Sequence, residues 1–528
     1  MVDKQDSAFA FAIRSWISLG IFIVLMVWAV FFPYSGDGDS VLHYLNARDT
    51  AGHWANALYA WTRPGYKIPL SLFAAHGIMA AHFFNTIITV AVAWNTVKLA
   101  EELEIPRAPL AGLLLILQPF VFALGSDTMT ELPMALGIVL AVRWWRNGKY
   151  ALACLMVGYL PSVRPEGFFF GVIFGVMVLI HFARCRRPQW VHLRIDHRTS
   201  RSNPANTLDY MGPSVLGPRI EPERSLLADL GYALALLACL SAGLITWVLL
   251  CWVFSFDHDA LLVLHYWSWP PGSYSFYATG TILHYVINWP VYCGLPLFVL
   301  FVAGIAPAIR RSMWLPWMVW LTVIGVHSIL YWRGWFASCG LIRIMACSAP
   351  ITALVCLYGW NAIASQLNRR HWRPAVIVFS LSAVAWVVGN YCLDRNRMHF
   401  LPLQRCAAYV KSHHLLDNQP YFFAGDKIAT AMLQGPDLPD DKLMAMPCDK
   451  DQIAKNLAEL PIGSIGIWDN EQAPVWHGHT IDELAQHGFT ILYETHAHVF
   501  SFTSLIRGRS WLDMRYVVLR KDAQGMQP

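Results

Sequence analysis

Runs of about 20 apolar residues recur along most of this chain, and no other feature constrains its fold as strongly. Each run is long enough to cross the hydrocarbon core of a bilayer as a helix whose backbone groups are satisfied internally. About eleven are present, at approximately 9–32, 74–97, 109–125, 129–145, 150–163, 167–183, 226–255, 285–309, 315–332, 344–364 and 374–393. With 56% hydrophobic and only 14% charged residues over 528 positions, an ordinary soluble protein is excluded. The first run carries Arg14 near its start, lacks a small-residue cleavage site and is too long for a signal peptide, so it reads as an uncleaved first helix.

The formal net charge of +5 does not point to nucleic acid, because the arginines gather in short connections between apolar runs and in one long loop. With a cytoplasmic N-terminus, the inner connections hold Lys98 and Arg107, then Arg143, Arg146 and Lys149, the run Arg184 to Arg224, Arg310 and Arg311, and Arg369, Arg370 and Arg373. The positive-inside rule selects this orientation. The segment 184–225, basic and rich in Pro, Ser and Asn, reads as a cytoplasmic loop. Residues 1–393 form a transmembrane domain with an outer loop at 33–73, and residues 394–528 read as a small soluble α/β domain on the outer side. In that tail, "LQRCAAYVKSHH" and "TIDELAQHG" have helical patterns, whereas "YFFAG", "IGSIGIW", "FTILYE" and "RYVVLR" read as strands. Most of the eleven cysteines stand singly in apolar runs; Cys406 and Cys448, in the soluble part, read equally as a pair or as two free thiols. No Asn-x-Ser/Thr acceptor is present, which favours a bacterial inner (plasma) membrane.

The unusual polar residues fall on the expected outer side. "GDGDS" holds Asp37 and Asp39 where the first run ends; they read as a turn residue and a helix cap, or as a catalytic carboxylate beside His43, Arg48, His53 and Arg63. In "WTRPGYK", Arg63 and Lys67 suit an anionic head group, and they suit interfacial anchoring equally. "GSDTMTELP" brings Asp127 and Glu131, with Thr130 as a helix start; the two carboxylates suit a hydroxyl or a divalent cation. "PSVRPEGF" sets Arg164 and Glu166 close to the hydrocarbon, where charges mark function unless they pair to hold a hairpin. The loop from Asp257 to His284 is dense in aromatics, and His327, Arg333 and Arg343 add outer cations.

Taken in order and by side, "GDGDS", "TRPGY", "SDTMTELP", "VRPEG" and a C-terminal outer domain resemble the GT-C superfamily of integral-membrane glycosyltransferases, which includes protein O-mannosyltransferases, lipid A aminoarabinose transferases and bacterial mannosyltransferase-like proteins. The resemblance covers roughly the first 393 residues. It implies a polyprenyl-phosphate-linked sugar donor, transfer outside the membrane to a lipid, glycan or protein hydroxyl, inversion at the anomeric carbon, and a first-loop aspartate as general base. Many members carry Asp-Glu at that place; here the pattern is "DGD", and Asp39 is the nearer match because Ser40 opens the helical pattern that follows. Cations are enough to offset the charge of a departing phosphate, so Arg63, Lys67, Arg164 and Arg343 are the candidate donor-phosphate ligands. Asp127, Glu131 and Glu166 form a second acidic site for the acceptor, with no certain cofactor and a divalent cation as a further reading. A lipid-linked sugar flippase or other transporter is the competing class; its mid-span charges and internal repeats are not evident here.

Overall fold

The computed structural model describes residues 4–32, 38–50, 52–58, 63–185, 226–254, 279–311, 313–335, 340–367, 369–391, 400–418, 420–424, 427–433, 442–444, 450–470, 473–474, 479–499 and 512–522. Asp37, Cys448, the loop 186–225 and most of the loop from Asp257 to His284 lie outside them. The chain divides into two compact units. One comprises Met1–Val27, Asn46–Ser273 and Tyr277–Ala383; the other comprises Trp28–Leu45, Tyr274–Phe276 and Val384–Pro528.

Every apolar run is helical. In chain order the helices are α1 (Lys4–Phe31), α2 (Gly38–Thr50), α3 (Pro64–Ala74), α4 (Ile78–Glu102), α5 (Leu110–Ile116), α6 (Pro119–Leu124), α7 (Glu131–Arg146), α8 (Tyr150–Val163), α9 (Gly167–Cys185) and α10 (Leu226–Phe254). Then follow α11 (His284–Ile287), α12 (Trp289–Cys293), α13 (Leu295–Arg310), α14 (Trp314–Arg333), a 3-10 segment Ile342–Ser348, α15 (Ala349–Gln366) and α16 (Arg369–Tyr391). By length and composition, five of these stretches are apolar and long enough to cross a membrane: Phe11–Phe31, Ile78–Glu102, Leu227–Phe254, Trp314–Arg333 and Ile342–Gln366. Shorter apolar helices stand beside them, among them Tyr150–Val163 and Leu295–Arg310. Large side chains such as Trp16, Leu227 and Trp252 are exposed on the outward faces, as a lipid-facing surface requires and a water-facing one does not tolerate.

Two of the runs are broken by residues that forbid a continuous helix. Pro119 splits the third between α5 and α6, and Pro290, Gly294 and Pro296 divide the eighth into α11, α12 and α13. Backbone groups released inside an apolar bundle must find partners. At the first break the Gln118 backbone N–H donates to the Leu115 carbonyl that Pro119 cannot serve, at 3.1 Å, and the Gln118 side chain ties the break to its neighbours: its Nε2 donates to the Ala349 carbonyl at 3.0 Å, and Tyr292 Oη donates to its Oε1 at 2.8 Å. The α13 and α15 helices pack at close range because Gly304 faces the Val355 carbonyl and Gly359 faces that of Leu300; a Cβ at either position would collide with backbone.

The second unit holds a four-stranded sheet of β1 (Phe422–Ala424), β2 (Ile465–Asp469), β3 (Phe489–Val499) and β4 (Leu512–Lys521) in the order β1-β2-β4-β3. The β1 and β2 strands run parallel, and the β2–β4 and β3–β4 pairs are antiparallel. Among the described residues four helices accompany it: α17 (Phe400–Ser412), α18 (Lys427–Leu433), α19 (Lys450–Glu459) and α20 (Ile481–Gln486). Alternation of period two sends Ile465, Ile467, Tyr516 and Val518 into one core with α17 and α18, and Trp468, Val517 and Leu519 into another with α19 and α20. Val41, from α2, is buried in the first of these cores beside Leu403 and Cys406. The Thr480 side chain and Glu483 close a reciprocal capping box at the start of α20, the helix read from "TIDELAQHG".

The sixteen-residue α7, roughly 24 Å long, has ionic groups at both ends. At its C-terminal end Arg143 donates to the Glu102 carboxylate and Arg146 to the Glu102 backbone carbonyl, and nearby Arg14 and Lys98 pair with Glu101. At its N-terminal end stand Thr130 and Glu131, which belong to the cluster described next.

Candidate active site

Four chain segments of the first unit converge at the N-terminal end of α7. The α8 helix stops at Val163 because Pro165 disfavours helical backbone at Arg164, which adopts an extended conformation. Gly167 then opens α9, so "VRPEG" is a tight hairpin with Arg164 turned into the protein. The Arg164 guanidinium is buried and satisfied on several sides. Nε donates to Glu166 Oε2 at 3.3 Å and Nη2 to Glu166 Oε1 at 3.1 Å, while Nη1 donates to Glu131 Oε1 and to Thr130 Oγ1, both at 2.9 Å.

The second segment is "RPGYK". Arg63 has φ +58°, a left-handed backbone that costs a non-glycine residue about 1–2 kcal/mol, and Pro64 follows at the first position of α3. What holds the turn is close packing: Gly65 lies against Ser162 with no room for a Cβ, and Tyr159 Oη donates to the Gly65 carbonyl. So fixed, Arg63 Nη1 donates to the same Thr130 Oγ1 that Arg164 uses. The third segment, before α7, supplies Thr130 and Glu131. From the fourth, Arg343 brings its Nε to 3.7 Å from Glu131 Oε1, and His327 of α14 stands with Nε2 3.8 Å from Glu166 Oε1.

Burial alone would raise the Glu166 carboxyl; Arg164, His327 and Arg63 outweigh it and hold it down at about 2. For Arg164, burial works against the charge, and the carboxylates of Glu166 and Glu131 overcome it and raise the guanidinium above its ordinary value. Glu131 is 1% exposed, and its Oε2 accepts no hydrogen bond among the described residues. A carboxylate oxygen left open in a buried ionic cluster is a place for a hydroxyl donor. Beside Arg164 and Glu166 runs a narrow cleft walled by Phe169, Phe170, Val323 and Val326. No group of three or more His, Cys, Asp or Glu side chains able to hold a metal ion occurs among the described residues.

The crystal structure of ArnT from Cupriavidus metallidurans in the apo state superposes with a TM-score of 0.55 at 11% identity, over 98% of this chain and 100% of that one. ArnT from the same organism bound to undecaprenyl phosphate gives 0.52, also at 11% identity, over 98% and 99%. ArnT is a member of the GT-C superfamily. The chain has the GT-C fold. No family model matches its sequence, and no curated protein matches it in a sequence comparison.

Among the residues singled out by the GT-C resemblance, the structure brings together Arg63, Glu131, Arg164, Glu166 and Arg343. Asp127 is buried in the turn just before Thr130. Lys67, one helical turn beyond Arg63 in α3, is 1% exposed; burial pulls its amine down to about 7, and the charge of Asp49 partly opposes this. Asp39 lies half-buried within the first turn of α2, in the second unit.

Two features of the candidate site escape local reading. Thr130 begins α7 as expected, yet its side chain makes no cap hydrogen bond and serves the two arginines. The other is a polar stripe on α4, where His82, Asn85, Thr86 and Thr89 are all buried. His82 Nδ1–H donates to the Ser126 carbonyl at 2.7 Å, Thr89 Oγ1 donates to that of Gly125 at 2.7 Å, and Tyr66 Oη donates to Asn85 Oδ1 at 2.9 Å. The stripe pins the "GSDTMTELP" turn on one side and α3 on the other. Its spacing of three and four was the available signal, since polar residues repeating so on an apolar helix must face protein.

Proposed function

We propose that this chain is an integral-membrane glycosyltransferase that moves a sugar from a polyprenyl-phosphate-linked donor to a hydroxyl of a lipid, glycan or protein acceptor on the outer side of the membrane. The observation that carries the reading is the set of three arginines, Arg164 buried and Arg63 and Arg343 half-buried, around the buried Glu131 and the Glu166 carboxylate, in a GT-C fold that matches undecaprenyl-phosphate-bound ArnT along its whole length.

The chemistry follows from charge. The acceptor oxygen forms a bond to the anomeric carbon from the face opposite the phosphate, with inversion, while the bond from that carbon to the phosphate oxygen breaks. The phosphodiester carries one negative charge and the departing polyprenyl phosphate two. Guanidiniums fixed beside it therefore bind the transition state more strongly than the ground state. Arg63, Arg164 and Arg343 serve this role, with Lys67 as a further cation. The proton of the acceptor hydroxyl goes to Asp39, or to Asp37, as general base. The open Oε2 of Glu131 receives a hydroxyl of the substrate and orients it, and Glu166 fixes Arg164. The cation distribution along the chain supports a cytoplasmic N-terminus in a bacterial inner membrane and an extracytoplasmic C-terminal domain.

The test is transfer in membranes supplied with labelled polyprenyl-phosphate sugars, comparing wild type with Asp37→Asn and Asp39→Asn. One folded variant loses transfer by about 10²–10⁴-fold and the other keeps it. Unchanged transfer in both refutes the aspartate base, and no transfer from any donor returns the transporter reading.

A further inference from the structure

Thr130 looks like a cap and does not act as one. Its Oγ1 accepts one hydrogen bond from Arg63 and another, of 2.9 Å, from Arg164, which occupies both lone pairs of the hydroxyl. The two guanidinium nitrogens therefore stand within roughly 6 Å of each other. Like charges so near repel in a dry interior; here a shared neutral oxygen accepts from both, and Glu131 and Glu166 offset the charge. The three residues come from separate turns: the one before α3, the one before α7 and the one after α8. Thr130 is thus the atom-scale joint between two cations that the chain delivers independently.

We propose that Thr130 is a positioning residue that fixes Arg63 and Arg164 as one paired element for the phosphate of the lipid-linked donor. This rests on the glycosyltransferase reading above. Phosphate recognition by arginine depends on the direction of the guanidinium fork as well as on charge. Without Oγ1 the two forks lose their common acceptor, and with it the joint that sets the direction of one fork against the other.

The experiment uses the full chain in detergent micelles titrated with undecaprenyl phosphate. Thr130→Val keeps the shape and removes the acceptor; Thr130→Ala serves if valine overpacks; Thr130→Ser keeps the hydroxyl. Binding weakens about tenfold in Thr130→Val or Thr130→Ala with thermal unfolding unchanged, and stays within about twofold of wild type in Thr130→Ser. Because Thr130 acts by pairing the two guanidiniums and no pair remains in Arg63→Gln, adding Thr130→Val to Arg63→Gln changes affinity by less than about twofold. Wild-type affinity in both Thr130→Val and Thr130→Ala overturns the proposal, as does serine as weak as valine or full multiplication of the two losses in the double variant. A wild-type protein that does not bind undecaprenyl phosphate refutes the donor reading itself, and this role of Thr130 with it.

Discussion

The two ends of α7 carry ionic clusters of similar residues arranged for different ends. At the C-terminal end Arg143 meets Glu102 with side chains 17% and 21% exposed, and Arg14 meets Glu101 with the glutamate 28% exposed. The two glutamates end α4 and are each at least a fifth exposed, so the Arg143–Glu102 pair contributes little, on the order of 1 kcal/mol or less, while Arg14, 5% exposed within α1, still meets a partner open to its surroundings. At the N-terminal end Arg164 and Glu131 are 5% and 1% exposed. Desolvation there costs several kcal/mol per ion, and apolar residues would stabilise the fold as well or better. A buried network kept against that cost is better explained by chemistry than by stability, and this contrast separates the candidate site from the topological charges.

The largest effect expected from breaking the comparison is Arg164→Ala. It strands Glu131 and Glu166 in the interior and lowers unfolding stability by about 3–5 kcal/mol, whereas Arg143→Ala costs about 1 kcal/mol or less; thermal and denaturant unfolding of the purified proteins compare the two. Equal losses would remove the distinction between the ends. Next, Arg63→Gln leaves the fold intact and lowers transfer by about 10²–10³-fold in the labelled-sugar assay, while Arg143→Gln leaves it unchanged. Smaller still is Gly65→Ala, which forces α3 away from Ser162 and costs about 1–3 kcal/mol, read as a lowered midpoint of unfolding.

The subtlest is a pH effect at Lys67. Its folded value, about 7, lies below the ordinary lysine value, so between the two the unfolded chain binds the extra proton. Stability therefore rises with pH across that window. Binding of undecaprenyl phosphate moves the other way, weakening as pH climbs through about 7 and the ammonium is lost. Lys67→Met flattens both profiles; parallel rather than opposed profiles in the wild type would show that Lys67 does not meet the phosphate.

Much of the fold is legible because membrane helices are written locally. The apolar runs are helical, but the third and eighth, read from hydrophobicity as single spans, are divided at Pro119 and at Pro290, Gly294 and Pro296. The sheet is only half legible: the strands of "IGSIGIW" and "RYVVLR" show in their β-branched residues, but the order β1-β2-β4-β3 depends on long-range pairing that no local pattern encodes. The same division holds in the site. Glu131, Arg164, Glu166 and Arg343 betray themselves as charges at the ends of apolar runs, where burial demands a reason, and Arg63 as a cation in the first outer loop. Thr130 does not, since Thr before Glu at a helix start is what ordinary capping also selects; only tertiary contact decides what its hydroxyl binds.

The left-handed backbone of Arg63 means that this position carries a conflict between what the chain finds comfortable and what the site requires. Asparagine enters that region more readily than most residues, and glutamine does not. Arg63→Asn and Arg63→Gln should thus be equally poor at transfer, with the asparagine variant unfolding later. That gap measures the conformational tension that the guanidinium keeps in place at the mouth of α3, independently of any substrate.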